Sequence, residues 1–224
     1  MNLNVDPSVN AIEESNDPAL EWVSAQAIRD LPIDQDRGTG AMAWFILSET
    51  MVFLGLFFSY YYLGHQQPRW PIGAAPSLTL PTAMVFILFL SCIALWAGGW
   101  LLRQGRDLPA RLALLVTILL GCGFIVLNAF DYNSASQMQP PTQNPYTSIF
   151  YTIEGVHAAH AILGLLFLLY AAVLPRLGHT DKPPHGSYRN AAMYWYFVTV
   201  VWFVMYAILY IGPHHVVGAN PALQ

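Results

Sequence analysis

Residues 149–174 read IFYTIEGVHAAHAILGLLFLLYAAVL. A bilayer hydrocarbon core of about 30 Å takes roughly 20 apolar residues as a helix, so this run is long enough to cross. Glu154, His157 and His160 interrupt it. Spaced three apart, they share one helical face about 120° wide, with Gly164 on the same stripe. The run sets both the fold and the question of function. It is a membrane helix, and it carries a carboxylate and two imidazoles at membrane depth.

The rest of the chain fits that solvent. Hydrophobic residues make up 55% of the 224 positions and charged residues only 10%, against roughly 25% charged in soluble domains. Four further apolar runs lie at about 41–63, 79–102, 109–131 and 189–212. With 149–174 they predict an all-α integral membrane bundle of five transmembrane helices over 41–212. The runs are continuous rather than alternating, and a lipid-facing backbone must satisfy its own hydrogen bonds. Residues 1–40 read as an acidic polar tail without the pattern of a cleavable signal, and 213–224 as a short tail. A net charge of −4 does not suggest a nucleic-acid partner, and none is expected. Cys92 and Cys122 both lie in apolar runs and form no metal-type cluster.

Charge sorts the connections. Arg29, Arg37, Arg103, Arg106, Arg111, Arg176, Lys182 and Arg189 fall on one side of five spans, and Arg69 alone on the other. The positive-inside rule then predicts a cytoplasmic N-terminus and an outside C-terminus. The acids of the tail (Glu13, Glu14, Asp17 and Glu21) contribute little to that rule.

An ionisable residue within a span is a functional-site candidate by default. Glu49 lies in the first run, about 100° round the helix from a stripe of Ser48, Val52, Gly55 and Ser59, where a neighbouring helix is expected to approach closely. It reads either as a proton carrier or lipid-cleft contact, or as a protonated carboxyl bonded inside the bundle. Glu154, His157 and His160 read as a buried polar network bonding across helices, with Glu154 or Glu49 as partner. An E-x-x-H pair also occurs in di-iron bundles, which need a second pair and two more glutamates; Glu49 is the one other glutamate in any span. A single axial haem histidine stays open. Asn128, Asp131 and Tyr132 form a polar cluster at the end of the third span. In the last run, Tyr194, Trp195, Tyr196 and Tyr210 suggest interfacial aromatic belts. A transporter would be expected to show broken helices or matched half-repeats, and neither is evident.

Five motifs in order carry a resemblance. Phe45-Ile-Leu-Ser48-Glu49 resembles an F-x-x-S-E motif, and Trp70-Pro71-x-Gly73 resembles W-P-P-x-G. Gly121 with Asn128-Ala-Phe-Asp131-Tyr132 is similar to a Q-A-x-E-Y ending. Gly155-x-His157-x-x-His160-x-x-x-Gly164 resembles G-x-H-x-x-H-V-x-x-G. Tyr194-Trp195-Tyr196-Phe197-Val198-Thr199-Val200-Val201-Trp202 resembles Y-W-H-F-V-D-V-V-W. Together they resemble subunit III of haem-copper terminal oxidases, in a five-helix form lacking the first two of seven helices. Tyr196, Thr199 and Asp131 depart from the family pattern, and Glu154 stands where a small or hydroxyl residue is usual. Glu154 is therefore expected to stand in for the lost aspartate at position 199, reaching His157 or a neighbouring span.

The resemblance implies an accessory, non-redox and non-catalytic chain without a metal of its own, in a proton-translocating cytochrome c oxidase of aerobic electron transport. It implies haem and copper in partner subunits, with subunit I as main partner and subunit II beside it. It also implies bound phospholipid, support of proton uptake and stability, and a bacterial-type inner membrane. Glu49 would lie near a lipid cleft, and His157 and His160 would be structural. Arg69 and Trp70 are read as lipid contacts, a cation beside an amphipathic ring. A quinol oxidase subunit, a nitric oxide reductase accessory protein and a stand-alone transporter are the alternatives.

Overall fold

A computed structural model describes residues 35–73, 76–173 and 185–213. Most of the acidic tail, the connection carrying Arg176 and Lys182, and residues 214–224 lie outside the described residues. Five helices follow in order: α1 (Gln35–His65), α2 (Thr79–Arg103), α3 (Asp107–Met138), α4 (Pro145–Val173) and α5 (His185–Met205), the last continuing as a π-helical turn over Tyr206–Ile211. All five are long and apolar enough to cross a membrane. Among the described residues there is no strand.

The helices outrun their apolar cores for local reasons. α4 starts at Pro145, four residues before the apolar run, because Asn144 caps it. The Asn144 side-chain oxygen accepts from the Thr147 amide at 2.9 Å, and the Thr147 hydroxyl accepts from the Asn144 amide at 3.3 Å. This is a reciprocal capping box, and proline is favoured at the first helical position. α3 runs on past Asp131 to Met138, since nothing in Tyr132–Met138 breaks a helix. Gln139, ahead of Pro140, is extended at φ −136°, as pre-proline sterics require. α2 closes in a Schellman motif. Gly105 takes φ +72°; its amide donates to Leu102, and the Arg106 amide donates to Leu101, both at 3.1 Å.

Packing separates α1 from the rest. α2 and α3 pair most extensively, α4 lies against α3 and α5, and α5 also packs on α2. α5 is thus the central element: half of its spanning window is buried, against 11% for α1. This corrects the aromatic-belt expectation. Tyr194 and Trp195 are fully buried and Tyr210 is 1% exposed, because a helix surrounded by others turns its rings to its neighbours rather than to the interface. The small-residue stripe of α1 is corrected as well. Val52 is 47% exposed, and a Cβ on Gly55 would meet nothing within 4 Å. The Ser48 and Ser59 hydroxyls turn back to their own helix, donating to the carbonyls of Phe45 (2.7 Å) and Gly55 (2.9 Å).

Trp195 fixes the spacing of the other helices. A Cβ on Gly121 of α3 would lie 2.7 Å from the indole and 2.6 Å from Leu165, and one on Gly164 of α4 would lie 2.9 Å from it. The indole N–H donates to Ser91 Oγ of α2 at 3.0 Å. Gly121→Ala should therefore destabilise the bundle by about 1–3 kcal/mol through overpacking. Gly123→Ala, where a Cβ meets open space, should not destabilise it. Thermal midpoints of the two variants in one detergent check this.

Candidate functional site

The four candidates of the polar network divide into separate groups. Glu49 and His160 form the first, between α1 and α4. His160 Nδ1–H donates to the Val156 carbonyl at 2.7 Å, and Nε2 lies 2.8 Å from Glu49 Oε2. The Val156 bond fixes the ring's orientation, and one proton lies between Nε2 and the carboxyl. Carboxylic acid with neutral imidazole, or carboxylate with imidazolium, gives no net charge in either case. A pair of that kind suits a partly buried site near lipid. Phe53 covers it, its ring centroid 4.9 Å from that of His160.

His157 stands apart from both glutamates. Its Nε2–H donates to the Val198 carbonyl of α5 at 3.1 Å. Phe53, Phe124 and Trp202 surround the ring, with centroids 6.3, 5.8 and 5.1 Å away. It is a fully buried ring in an aromatic box, bonded to backbone.

Glu154 belongs to a third group, one turn before His157 on α4. The Tyr210 hydroxyl is hydrogen-bonded to Glu154 Oε1 and also to Asp131 Oδ2, the latter at 3.1 Å. Glu154 thus reaches a neighbouring helix and not His157. Thr199, at the family's aspartate position, bonds elsewhere: its Oγ1 donates to the Trp195 carbonyl at 3.0 Å and accepts from Cys92 Sγ at 3.3 Å. Replacement of that aspartate by Glu154 is therefore corrected, because Glu154 lies level with Tyr210, eleven positions further along the same helix. The expected polar cluster at the end of the third span divides as well. Asn128 and Asp131 are buried on an inner face of α3, two turns before its end, and Tyr132 is exposed, its ring packed on Tyr151.

Arg69 is exposed in the α1–α2 connection. Trp70 turns inward, its ring 5.2 Å from Tyr60 and 5.0 Å from Tyr146. Tyr210 was missed as a polar-site residue. The signal was available: Asp131 near the end of the third span, Glu154 near the start of the fourth and Tyr210 at the end of the fifth share one depth in an up-down bundle.

Among the described residues no three of His, Cys, Asp and Glu converge. Both nitrogens of His160 are engaged; His157 points its Nε2 at a carbonyl and leaves its buried Nδ1 without a partner.

Five packed membrane helices whose ionisable groups bond to one another or to backbone define a polytopic membrane protein organised around internal polar pairs. A family model described as cytochrome c oxidase subunit III matches residues 35–213. The chain is 32% identical over 189 residues to cytochrome c oxidase subunit 3 of Loxodonta africana, covering 80% of this chain and 71% of that one. It is 33% identical over 177 residues to that of Ornithorhynchus anatinus, covering 75% and 67%, and 30% identical over 187 residues to that of Mus musculus, covering 80% and 71%. The chain belongs to the cytochrome c oxidase subunit III family.

The Glu49–His160 contact is testable alone. A double-mutant cycle with Glu49→Gln and His160→Phe should give a coupling of about 1 kcal/mol, the scale of interhelical hydrogen bonds in membranes. Unfolding midpoints of the four proteins measure it. Additive effects would mean that the two side chains do not bond in solution.

Proposed function

We propose that this chain is an accessory subunit of a proton-pumping oxygen reductase of the cytochrome c type. It packs against subunit I, with subunit II nearby, and haem and copper are held by those partners. The observation that carries this reading is the disposition of α1. Its backbone stands off from the other four helices, and it turns Trp44, Leu47, Met51, Leu54 and Phe58 outward. That face is wide, aromatic and apolar, suited to a partner helix and to lipid acyl chains. Glu49 and His160 are meanwhile bonded to each other on the inner side of α1.

Supporting chemistry follows from the same surface. Exposed bulky side chains of α1 stand beside the exposed Gly55 and Ser48, an uneven apolar face against which phospholipid chains can lie. Bound lipid at such a seam stabilises the assembled state by mass action. Support of proton uptake in the partner is then indirect, through the seam's rigidity and its exclusion of stray water, and no redox step is assigned to this chain.

Purification in mild detergent tests the reading. A tagged chain should bring down a large membrane partner whose optical spectrum shows haem and whose metal content includes copper. The chain freed from that partner should be colourless. Iron retained by the isolated chain would overturn the assignment and return His157 and His160 to consideration as ligands.

A further inference from the structure

Tyr210 bonds to two carboxyl groups, yet a phenol has one proton. If it donates to Asp131, the oxygen it shares with Glu154 must accept from a Glu154 carboxyl O–H; if it donates to Glu154, Asp131 must carry the proton. Either way, one of the two carboxyls is protonated. The three groups form a directional chain, Glu154–Tyr210–Asp131, that can run in both senses.

The two ends of that chain differ. Glu154 is 1% exposed, deep between α4 and α5. Asp131 lines a half-open cavity of about 300 Å³, bounded also by Ser77, Ser134, Tyr146, Thr147 and Tyr151, at the end of the bundle where the 139–144 connection lies. Three buried polar atoms nearby have no hydrogen-bond partner: Glu154 Oε2, Tyr146 Oη and Asn128 Nδ2. Asn128 is one turn from Asp131 on the same face of α3, and Tyr146 both lines the cavity and lies within electrostatic reach of Glu154. Their free valences surround the carboxyl pair with sites suited to water or a hydrated proton. The remaining ionisable neighbours are the phenols Tyr132, Tyr151 and Tyr206, with His157 one turn further along α4. Among the described residues no cationic side chain pairs with either carboxyl.

The π turn supports a specific role for Tyr210. π-bulges recur at functional sites because they re-aim a side chain out of α-helical register. Here the turn spans Tyr206–Ile211. It anchors Tyr206 to Thr82 at 2.6 Å while presenting Tyr210 to both carboxyls.

We propose that Glu154, Tyr210 and Asp131 form a proton-binding site that holds one exchangeable proton and exchanges it with the aqueous phase through the cavity lined by Asp131. The transfer is balanced. Glu154–COOH gives its proton to the Tyr210 oxygen as the Tyr210 hydroxyl proton passes to Asp131–COO⁻, leaving Glu154–COO⁻, an intact phenol and Asp131–COOH. A proton then leaves or enters at Asp131. The site uses only this chain's atoms and stands whatever the partner subunits prove to be.

Infrared difference spectroscopy of the full chain, in the membrane complex that it purifies with, tests the proposal. The carbonyl band of a protonated carboxyl should shift on transfer to deuterium oxide and be lost when both carboxyls are removed in Glu154→Gln/Asp131→Asn. In Asp131→Asn and in Tyr210→Phe the Glu154 band should remain, but its response to deuterium should be slowed, because its route to water is cut. Asp131→Glu should restore fast exchange. Tyr210→Phe removes one hydroxyl and keeps the ring, so it carries the test should Asp131→Asn fail to fold. A band that survives the double variant Glu154→Gln/Asp131→Asn, or that exchanges equally fast in both disconnecting variants, would overturn the proposal.

Discussion

The contact of one indole with three other helices holds the bundle in register. Apolar side chains gain nothing from leaving lipid for one another, so membrane helices associate through close packing and hydrogen bonds. Trp195 supplies both. Its flat face needs sites without a Cβ, and Gly121 and Gly164 provide them on α3 and α4. Its N–H needs an acceptor, and Ser91 of α2 provides it, while the Ser91 hydroxyl itself donates to the Leu88 carbonyl at 2.7 Å. Sliding any of these helices would leave either a ring in collision or a buried donor unpaired. The depth match of Asp131, Glu154 and Tyr210 follows from that register.

α1 obeys a different rule. Among the described residues its backbone approaches the others far less than theirs approach one another; long side chains span the gap. Phe45 stacks on Tyr194 with centroids 5.8 Å apart, Phe53 packs on His157, His160 and Phe197, and Tyr60 meets Trp70 and Tyr146. The Thr39 hydroxyl contacts Asn190 at 3.4 Å and is bonded to Arg189 at the other end. Aromatic contacts tolerate small shifts better than interlocked glycines do. A directional bond at mid-depth is Glu49–His160. The membrane part therefore combines a rigid group of four helices with a fifth attached along a softer seam.

Much of this was legible in the sequence. The five runs followed from length and apolarity, and Glu49, His157, His160 and Glu154 stood out because ionisable groups in lipid are costly. Gly121 and Gly164 were visible as motif glycines, though their shared neighbour was not. What stayed hidden was rotation. Sequence spacing places residues on a face but does not say which helix that face meets, so the partner of Glu154 stayed open between His157 and a neighbouring span, and Tyr210 holds it. The same limit made Trp195 and Tyr210 look like belt residues: aromatic rings near a span's ends read alike whether they face headgroups or four packed neighbours. The capping of α4 by Asn144 and Thr147, by contrast, is a local pattern, and the four extra residues at its start could have been read from Asn-Pro-Tyr-Thr.

The π turn at Tyr206–Ile211 also has a meaning for how such a chain can vary. A π-bulge is equivalent to one residue inserted into an α-helix. Deleting a residue between Tyr206 and Tyr210 would restore α-helical register and swing everything after it by about 100°. The helix would be more regular and its hydrogen bonding simpler, yet the phenol would leave both carboxyls. Length in this short segment is thus constrained more tightly than composition. Apolar residues there can be exchanged, whereas an insertion or deletion is not a neutral change even at the tip of a terminal helix.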